Sequence, residues 1–318
     1  IDLLSARFVD KIGYRVSIVL AHIFAAVGLI CLIILPDLFT DAFVGIFISV
    51  VLYAIGGGLI EVLISPIVES CPSDNKEKAM SLLHSFYCWG SVGVVLLSTV
   101  FFKIFGIENW KIMALIWAVI PVVNGMIFTK VPIASLIEEG ETGMTIKELC
   151  ENKIFWILML MMMCAGASEL SVSQWASTFA EQGLGISKTV GDLAGPMAFA
   201  VLMGSARTFY GKFGDRIDLD KFMIGSSILC ILSYLCISLS PSAIMSLIGC
   251  SVCGFSVGIM WPGSFSKAST ALHNGGTSLF ALLALAGDIG CSGGPTLVGF
   301  ISGLASDNLK KGILAGVI

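Results

Sequence analysis

Three carboxylates lie inside long apolar runs of this 318-residue sequence: Glu61, Glu169 and Asp288. An ionisable side chain at the centre of a lipid bilayer is costly, so one that is retained there normally faces a partner, a cavity or a solute. We therefore predict that each of these carboxylates contacts a solute or an ion. The alternative for Glu61 is a protonated carboxyl group that is hydrogen-bonded within the helical bundle.

Helical spacing adds polar neighbours to the first of these carboxylates and to the apolar run that follows it. Gly57, Glu61 and Ser65 recur every four residues and share one face of a helix. His84 and Tyr87 lie three residues apart in the next run, where they offer a hydrogen-bonding ring and an aromatic hydroxyl. We predict that both contact a solute. The alternative is a histidine near a membrane surface beside a tyrosine that only packs.

Further candidates lie in the second half of the sequence. Gln174 and Trp175 follow Glu169 closely, Trp261 precedes a proline, and Asp288 belongs to a glycine-rich segment. Binding sites in membrane proteins often form where helices are interrupted, and glycine and proline favour such interruptions. We predict solute contact for all five residues. The alternatives are a gate at the outer surface, simple packing, or an interfacial aromatic belt for Trp261.

Residues for covalent or metal chemistry are scarce. The histidines are His22, His84 and His273, and the sequence has no His-Glu-x-x-His, Gly-x-Ser-x-Gly or phosphate-loop motif. Cys250 and Cys253 have the spacing of metal ligands, but no second Cys or His pair lies nearby, so we interpret them as small packing residues. We expect no cofactor, no metal and no enzymatic activity.

The elements that must position these residues are membrane-spanning helices. Hydrophobic residues make up 56% of the chain, charged residues only 13%, and the mean hydropathy is +0.95. A soluble domain carries about 25% charged residues. Apolar runs of the roughly 20 residues that a spanning helix needs follow one another, with partial helices before residue 10 and after residue 311. The nine predicted spans lie near residues 16–35, 43–68, 79–102, 111–129, 154–181, 189–210, 221–240, 242–266 and 277–304.

One long polar connection divides the chain. It covers residues 130–153 and is acidic through Glu138, Glu139, Glu141, Glu148 and Glu151. Thirteen Lys and Arg residues fall in loops on its side of the membrane and five on the other. Because cytoplasmic loops carry the basic excess, we predict a multi-pass plasma-membrane protein with a cytoplasmic linker between helical bundles at residues 1–129 and 154–318. The net charge of −4 is small and dispersed, so we expect no nucleic-acid partner.

An internal repeat relates the two halves. The segment from Ala6 to Lys11 aligns with that from Gly211 to Arg216 at an offset of 205 residues, and in each a small residue is followed four positions later by Asp and a basic residue. A repeat of this length holds about six helices. The repeat therefore predicts a twelve-helix architecture of two similar halves.

The first copy of this repeat, Ala6-Arg-Phe-Val-Asp10-Lys11-Ile-Gly13-Tyr-Arg15, resembles the loop signature of the major facilitator superfamily. The resemblance implies an all-α membrane fold of two pseudo-symmetric six-helix bundles, which the chain covers from the end of the second helix to the start of the twelfth. It also implies that residues of this loop and of its second copy lock one access state. The implied gating residues are Asp10, Arg15, Arg207, Asp215 and Arg216. The alternative is a set of ordinary surface ion pairs.

A narrower resemblance is to the fucose:proton symporter branch. It rests on the segments Gly56–Pro66, Ser81–Gly90 and Gly287–Pro295. In that branch the fourth helix carries a cavity glutamate, which maps onto Glu61 and implies proton coupling there. The branch usually has Gln and Asn where this chain has His84 and Tyr87.

The resemblance and the polar faces together predict a secondary active transporter that moves a small polar solute, a sugar, by alternating access. Its expected partners are that solute, protons and the lipid bilayer, and we expect a monomer. Two alternatives stay open. One is a drug or metabolite exporter of the same superfamily, and the other is a membrane sensor that does not transport.

Overall fold

The computed structural model describes residues 2–134, 136, 143–184 and 187–317, without the side chains of residues 3, 6, 7, 10, 182–184 and 188. The side chain of Asp10 and the linker residues Glu138, Glu139 and Glu141 therefore lie outside the described part of the chain.

The described residues form α-helices and no strands. The helices are α1 (Asp2–Ile12), α2 (Tyr14–Leu38), α3 (Ala42–Ser70), α4 (Lys76–Phe105), α5 (Trp110–Phe128), α6 (Ile146–Glu151), α7 (Lys153–Ser173), α8 (Ala176–Leu184), α9 (Lys188–Asp192), α10 (Ala198–Phe213), α11 (Leu219–Leu239), α12 (Ala243–Val257), α13 (Met260–Ala271), α14 (Gly276–Leu304) and α15 (Leu309–Ala315). Single 3₁₀ turns lie at Ile107–Asn109 and Gly214–Arg216, and a π-helical turn lies at Leu193–Met197.

Nine helical segments of the described chain are long and apolar enough to cross a membrane. Three of them join two α-helices: α7 continues into α8, α9 continues through the π turn into α10, and α12 continues into α13. Many large apolar side chains point away from the protein, for example Phe43, which is 66% exposed, and Ile104, which is 67% exposed. Lipid is the solvent that makes such a surface stable. The predicted all-α membrane fold is confirmed.

The polar linker contains one short helix with a well-formed start. The Thr145 hydroxyl accepts from the Glu148 N–H at 3.3 Å, and the Glu148 carboxylate accepts from the Thr145 N–H at 2.7 Å. This reciprocal capping box begins α6. The backbone N–H and the hydroxyl of Thr145 hold the pKa of Glu148 below its usual value, because both bonds favour the charged carboxylate.

Contacts group the chain into two compact units. Unit 1 comprises Ile1–Pro72, Leu97–Leu149 and Asn274–Ala284, and unit 2 comprises Ser73–Leu96, Cys150–His273 and Leu285–Ile318. Helices α4 and α14 each contribute residues to both units. These limits differ from the bundles of residues 1–129 and 154–318, so that division stays a prediction.

Unit 1 is built on close packing of α2 against α3 and α5. A methyl group added to Gly28 would overlap the backbone of Tyr53, and one added to Gly56 would lie 2.6 Å from the carbonyl oxygen of Ala21. Small residues let helix backbones approach closely in a membrane, where burial of apolar surface drives association only weakly. Ala21 packs with the buried side chains of Ile18 and Leu63 in the core of this unit.

Unit 2 uses glycine in the same way between α7 and α14. A methyl group on Gly166 or on Gly290 would overlap a backbone carbonyl oxygen of the opposite helix, at Gly287 and Met163 respectively. Gly293, only three residues from Gly290, has open space at this position. The glycine-rich segment of α14 therefore has one tightly packed face and one free face.

This difference gives a matched pair of variants. Gly290→Ala is expected to reduce the stability of the folded protein by about 1–3 kcal/mol, because the methyl group must displace the α7 backbone. Gly293→Ala should leave stability unchanged or raise it by up to about 1 kcal/mol, since alanine favours helix over glycine. Thermal unfolding of the two purified proteins in the same detergent measures both. Equal losses in the two variants would contradict the close approach of α7 and α14.

Candidate functional site

A fully buried arginine organises the polar interior of unit 2. Arg207 lies on α10 and is 2% exposed. Its Nε donates to the carbonyl oxygen of Gly258 at 2.8 Å, and its Nη1 donates to that of His84 at 3.0 Å and to the Sγ of Cys88 at 3.2 Å. Its Nη2 donates to Oε2 of Glu169 at 3.0 Å in a buried ion pair. The guanidinium group therefore joins α4, α7, α10 and the end of α12.

The chain supplies an acceptor for Arg207 by interrupting a helix. Helix α12 ends at Val257 and α13 begins at Met260, so carbonyl groups at this junction have no partner within a regular helix. The carbonyl group of Gly258 turns to the guanidinium group instead. Glycine is required there because an added methyl group would lie 2.8 Å from the Cβ of Ala206.

Helix α4 lies close to α10 around the arginine. The Ser81 hydroxyl donates to the carbonyl oxygen of Arg207 at 2.8 Å, and the indole N–H of Trp89 donates to the hydroxyl of Thr208 at 3.1 Å. A methyl group on Gly204 would lie 3.2 Å from the ring of Trp89. Serine and glycine thus bring the two backbones together, and the arginine bonds to α4 become short enough to form.

Aromatic rings of α13 pack beside this polar group, between α4 and α14. The His84 ring stacks on Phe265 with centroids 5.8 Å apart, and Trp261 meets Phe265 edge-on at 6.2 Å. Gly287 leaves room for the Trp261 ring, since a methyl group there would overlap it. Asp288 follows this glycine and is half-buried.

Tyr87 forms the accessible edge of the group. Its ring centroid lies 5.9 Å from the Cζ atom of Arg207, within the range of a cation–π contact. Unlike Arg207, Glu169 and His84, which are buried, Tyr87 is 58% exposed. The arrangement therefore combines a buried ion pair with an exposed aromatic face, which is suited to non-covalent binding. No group of metal-ligating side chains occurs among the described residues.

Comparison with known proteins identifies the family. The family model of the Major Facilitator Superfamily matches residues 2–295. The chain belongs to this superfamily. It is therefore an MFS transporter, and its many apolar helices make it a multi-pass membrane protein. A search of curated protein sequences found no match.

Solved structures show the same fold. The E. coli fucose:proton symporter FucP is 12% identical with a TM-score of 0.82, and a second FucP structure, in the outward conformation, is 14% identical with a TM-score of 0.80. Each alignment covers 99% of this chain and 83% of FucP. The proton:xylose symporter XylE, bound to 6-bromo-6-deoxy-D-glucose, is 14% identical with a TM-score of 0.72, over 99% of this chain and 81% of XylE. At these identities the likeness shows the fold, which confirms the predicted MFS fold.

The structure brings four of the predicted solute residues of this MFS protein into one group: His84, Tyr87, Glu169 and Trp261. Glu61 is half-buried in the C-terminal half of α3, in the other unit. Gln174 is exposed at the end of α7. Trp175 donates its indole N–H to the carbonyl oxygen of Pro295 at 3.1 Å, which ties the break between α7 and α8 to α14.

The predicted gating residues fall in different places. Asp215 accepts from Asn75 Nδ2 at 3.0 Å and pairs with Lys78, at the start of α4. Arg216 is exposed beside it. Arg15 binds the end of α5, and Arg207 belongs to the group with Glu169 rather than to the loop that holds Asp215.

Several partners in these contacts were missed at the sequence level. Asn75 had a usable signal, because an asparagine just before a helix is a common N-cap, and its side chain does accept from the Lys78 N–H. Gly258 had a weaker sequence signal, because it is a glycine inside an apolar run. The roles of Cys88 and Phe265 had none, because their contacts join residues far apart in the chain.

The buried ion pair can be tested by a double-mutant cycle. Glu169→Gln or Arg207→Met alone should each cost about 3–5 kcal/mol of stability, because each leaves one buried charge uncompensated. The double variant should lose clearly less than the sum, since the two residues interact directly. Unfolding of the purified proteins in sodium dodecyl sulfate measures all three.

The exposed Asp37, which pairs with Lys111, supplies the control. Asp37→Asn should change stability by less than about 1 kcal/mol, as expected for a surface ion pair. Strict additivity of the two core substitutions would show that Glu169 and Arg207 do not interact in the folded protein.

Proposed function

We propose that this MFS protein is a secondary active transporter that moves a small polar solute, a sugar, across the membrane by alternating access. The observation that carries the proposal is the buried Arg207–Glu169 pair beside the exposed ring of Tyr87. Charged groups inside membrane-spanning helices are rare and usually belong to a substrate or ion pathway.

The chemistry of this group favours a solute with hydroxyl groups. The Glu169 carboxylate accepts hydrogen bonds, the Arg207 guanidinium donates them, and the ring of Tyr87 offers an apolar face with a hydroxyl at its edge. Binding sites for small molecules typically combine aromatic walls with a few fixed polar groups. We propose that the solute contacts His84, Tyr87, Glu169, Trp261 and Asp288. Contact with Gln174 and Trp175 stays a prediction.

The solved structures of similar fold support the choice of solute and of driving ion. FucP is named as a fucose:proton symporter, and XylE as a proton:xylose symporter bound to a deoxyglucose derivative. We propose proton coupling for this chain, with Glu61 as the proton-binding group. Glu61 lies three residues after Gly58 in a helix long and apolar enough to span a membrane, and carboxyl groups within such helices usually belong to substrate or proton pathways.

The proposed gate lies at the N-terminal end of α4. Asp215, Lys78 and Asn75 form one contact there, and the Tyr210 hydroxyl donates to Glu77 at 2.8 Å in a second. We propose that this end faces the cytoplasm with the linker, and that these contacts form in one access state and break in the other.

Solute binding can be tested on the full-length protein by thermal shift with a panel of monosaccharides. A ligand that binds only the folded state must raise its apparent stability. Tyr87→Ala should weaken the binding of an active sugar by at least about tenfold, or ~1.4 kcal/mol, because the aromatic face is lost. Tyr53→Ala, at an exposed tyrosine of unit 1, should leave binding unchanged.

The same sugar should support counterflow in proteoliposomes without conversion to a new compound. If no monosaccharide shifts the protein while large apolar drugs do, the chain is an exporter and the sugar proposal is wrong. Thermal shift without counterflow would indicate a sensor and would contradict transport.

Proton coupling has a separate test in the same vesicles. Glu61→Gln should abolish sugar accumulation driven by a pH gradient while sugar counterflow persists, because the amide cannot exchange a proton yet keeps the shape of the side chain. Glu108→Gln, at an exposed glutamate, is the control and should retain both activities. Accumulation that survives in Glu61→Gln would exclude Glu61 as the coupling residue.

A further inference from the structure

A groove runs along the outer surface of unit 1 between α2 and α5. Its volume is about 400 Å³, within the size range of small-molecule sites. The walls are apolar and include Val19, Ile23, Val27, Ile30, Val122 and Met126. Several of these side chains are widely exposed, with Ile23 at 51% and Met126 at 65%, so the groove opens outward from the unit.

The length of the groove matches one leaflet of a bilayer. From Val19 to Ile30 the helix α2 rises by roughly 16 Å at 1.5 Å per residue. Half of a hydrocarbon core of about 30 Å is nearly the same length. The groove ends beside Thr129, just past the last residue of α5 and close to the first residues of α2. A groove of this length would extend from one membrane surface to the middle of the bilayer.

A cation is fixed at the surface end of the groove. Arg15 Nη1 donates to the carbonyl oxygens of Phe128 at 3.0 Å and Thr129 at 2.9 Å, and Thr129 itself lines the groove. The other three N–H donors of Arg15 have no partner among the described residues, and no described carboxylate pairs with it. Lys130 is the next residue along and is exposed.

The floor of the groove is closed by His22. Its Nδ1 donates to the carbonyl oxygen of Ile18 at 2.7 Å, because a carbonyl group can only accept, and its ring lies 5.3 Å from that of Phe128. The histidine is 5% exposed. The polar groups that a ligand would meet are therefore concentrated at the mouth of the groove, and the walls are suited to hydrocarbon.

We propose that this groove binds an anionic phospholipid, with one acyl chain between α2 and α5 and the phosphate group at Arg15 and Lys130. Guanidinium groups bind phosphate through paired N–H donors, and basic residues at a membrane surface attract anionic lipids. A second copy of the chain fits less well. A two-fold contact would place the same basic mouth opposite itself, where like charges repel.

The test is lipid retention by the purified full-length protein, measured by native mass spectrometry with phosphatidylglycerol and phosphatidylcholine of the same acyl chains. The wild type should retain phosphatidylglycerol preferentially. Arg15→Gln should reduce this preference by about fivefold, the equivalent of ~1 kcal/mol per basic residue near an anionic surface. Val27→Trp should reduce retention of both lipids, because the indole fills the groove without changing charge.

Matched controls lie elsewhere on the same unit. Lys103→Gln removes an exposed cation and Ile104→Trp enlarges an exposed apolar side chain, both outside the groove, and both should behave as wild type. Three results would overturn the proposal: equal retention of the two lipids by the wild type, displacement of phosphatidylglycerol by inorganic phosphate, or loss of a dimer in Val27→Trp with lipid retention unchanged.

Discussion

The interior of unit 2 depends on one requirement, that a guanidinium group removed from water must find an acceptor for its donors. Arg207 meets it with a carboxylate, two backbone carbonyl groups and a thiol drawn from different helices. An unmet donor at this depth would cost several kcal/mol. The positions of α4, α7 and the α12–α13 junction are therefore coupled, because moving any of them leaves the arginine short of a partner.

This coupling also bears on function. The contacts from Arg207 to Glu169 and Gly258 stay within the second half of the sequence, whereas those to His84 and Cys88 reach α4, which belongs to the first half. Its Nε and Nη2 atoms thus bind partners from the second half of the sequence, and its Nη1 atom binds partners from the first half. If α4 moved away, the donors of Nη1 would lose their acceptors in this helix, but the charge of Arg207 would stay paired with the Glu169 carboxylate. Under the alternating access that we propose, such contacts would form in one access state and break in the other.

The fold was largely accessible from the sequence, because apolar runs of bilayer length admit only helices and the repeat around Asp215 indicated two related halves. The site was accessible in part. Glu169 and His84 stood out as polar residues in apolar surroundings, yet nothing in the sequence paired Glu169 with Arg207, 38 residues away, or Arg207 with the His84 carbonyl group, 123 residues away. The resemblance implies a shared gating role for Arg207 and Asp215, whereas the structure pairs Arg207 with Glu169. Trp175 is predicted to contact a solute, but in the structure its indole N–H donates to the backbone carbonyl oxygen of Pro295.

A comparison of Arg207 with Arg15 shows how the position of an arginine in the protein decides which groups it binds. Arg207 is buried within a spanning helix, so the protein itself must supply its acceptors, and it does so from α4, α7 and the end of α12. Arg15 lies at the first turn of α2, where it is exposed and binds the terminal carbonyl groups of α5, which carry the partial negative charge of the helix end. Near the membrane surface, water and lipid head groups can complete its coordination. An arginine side chain can therefore hold helices together inside the protein, as Arg207 does, or remain available to water and lipid at the surface, as Arg15 does.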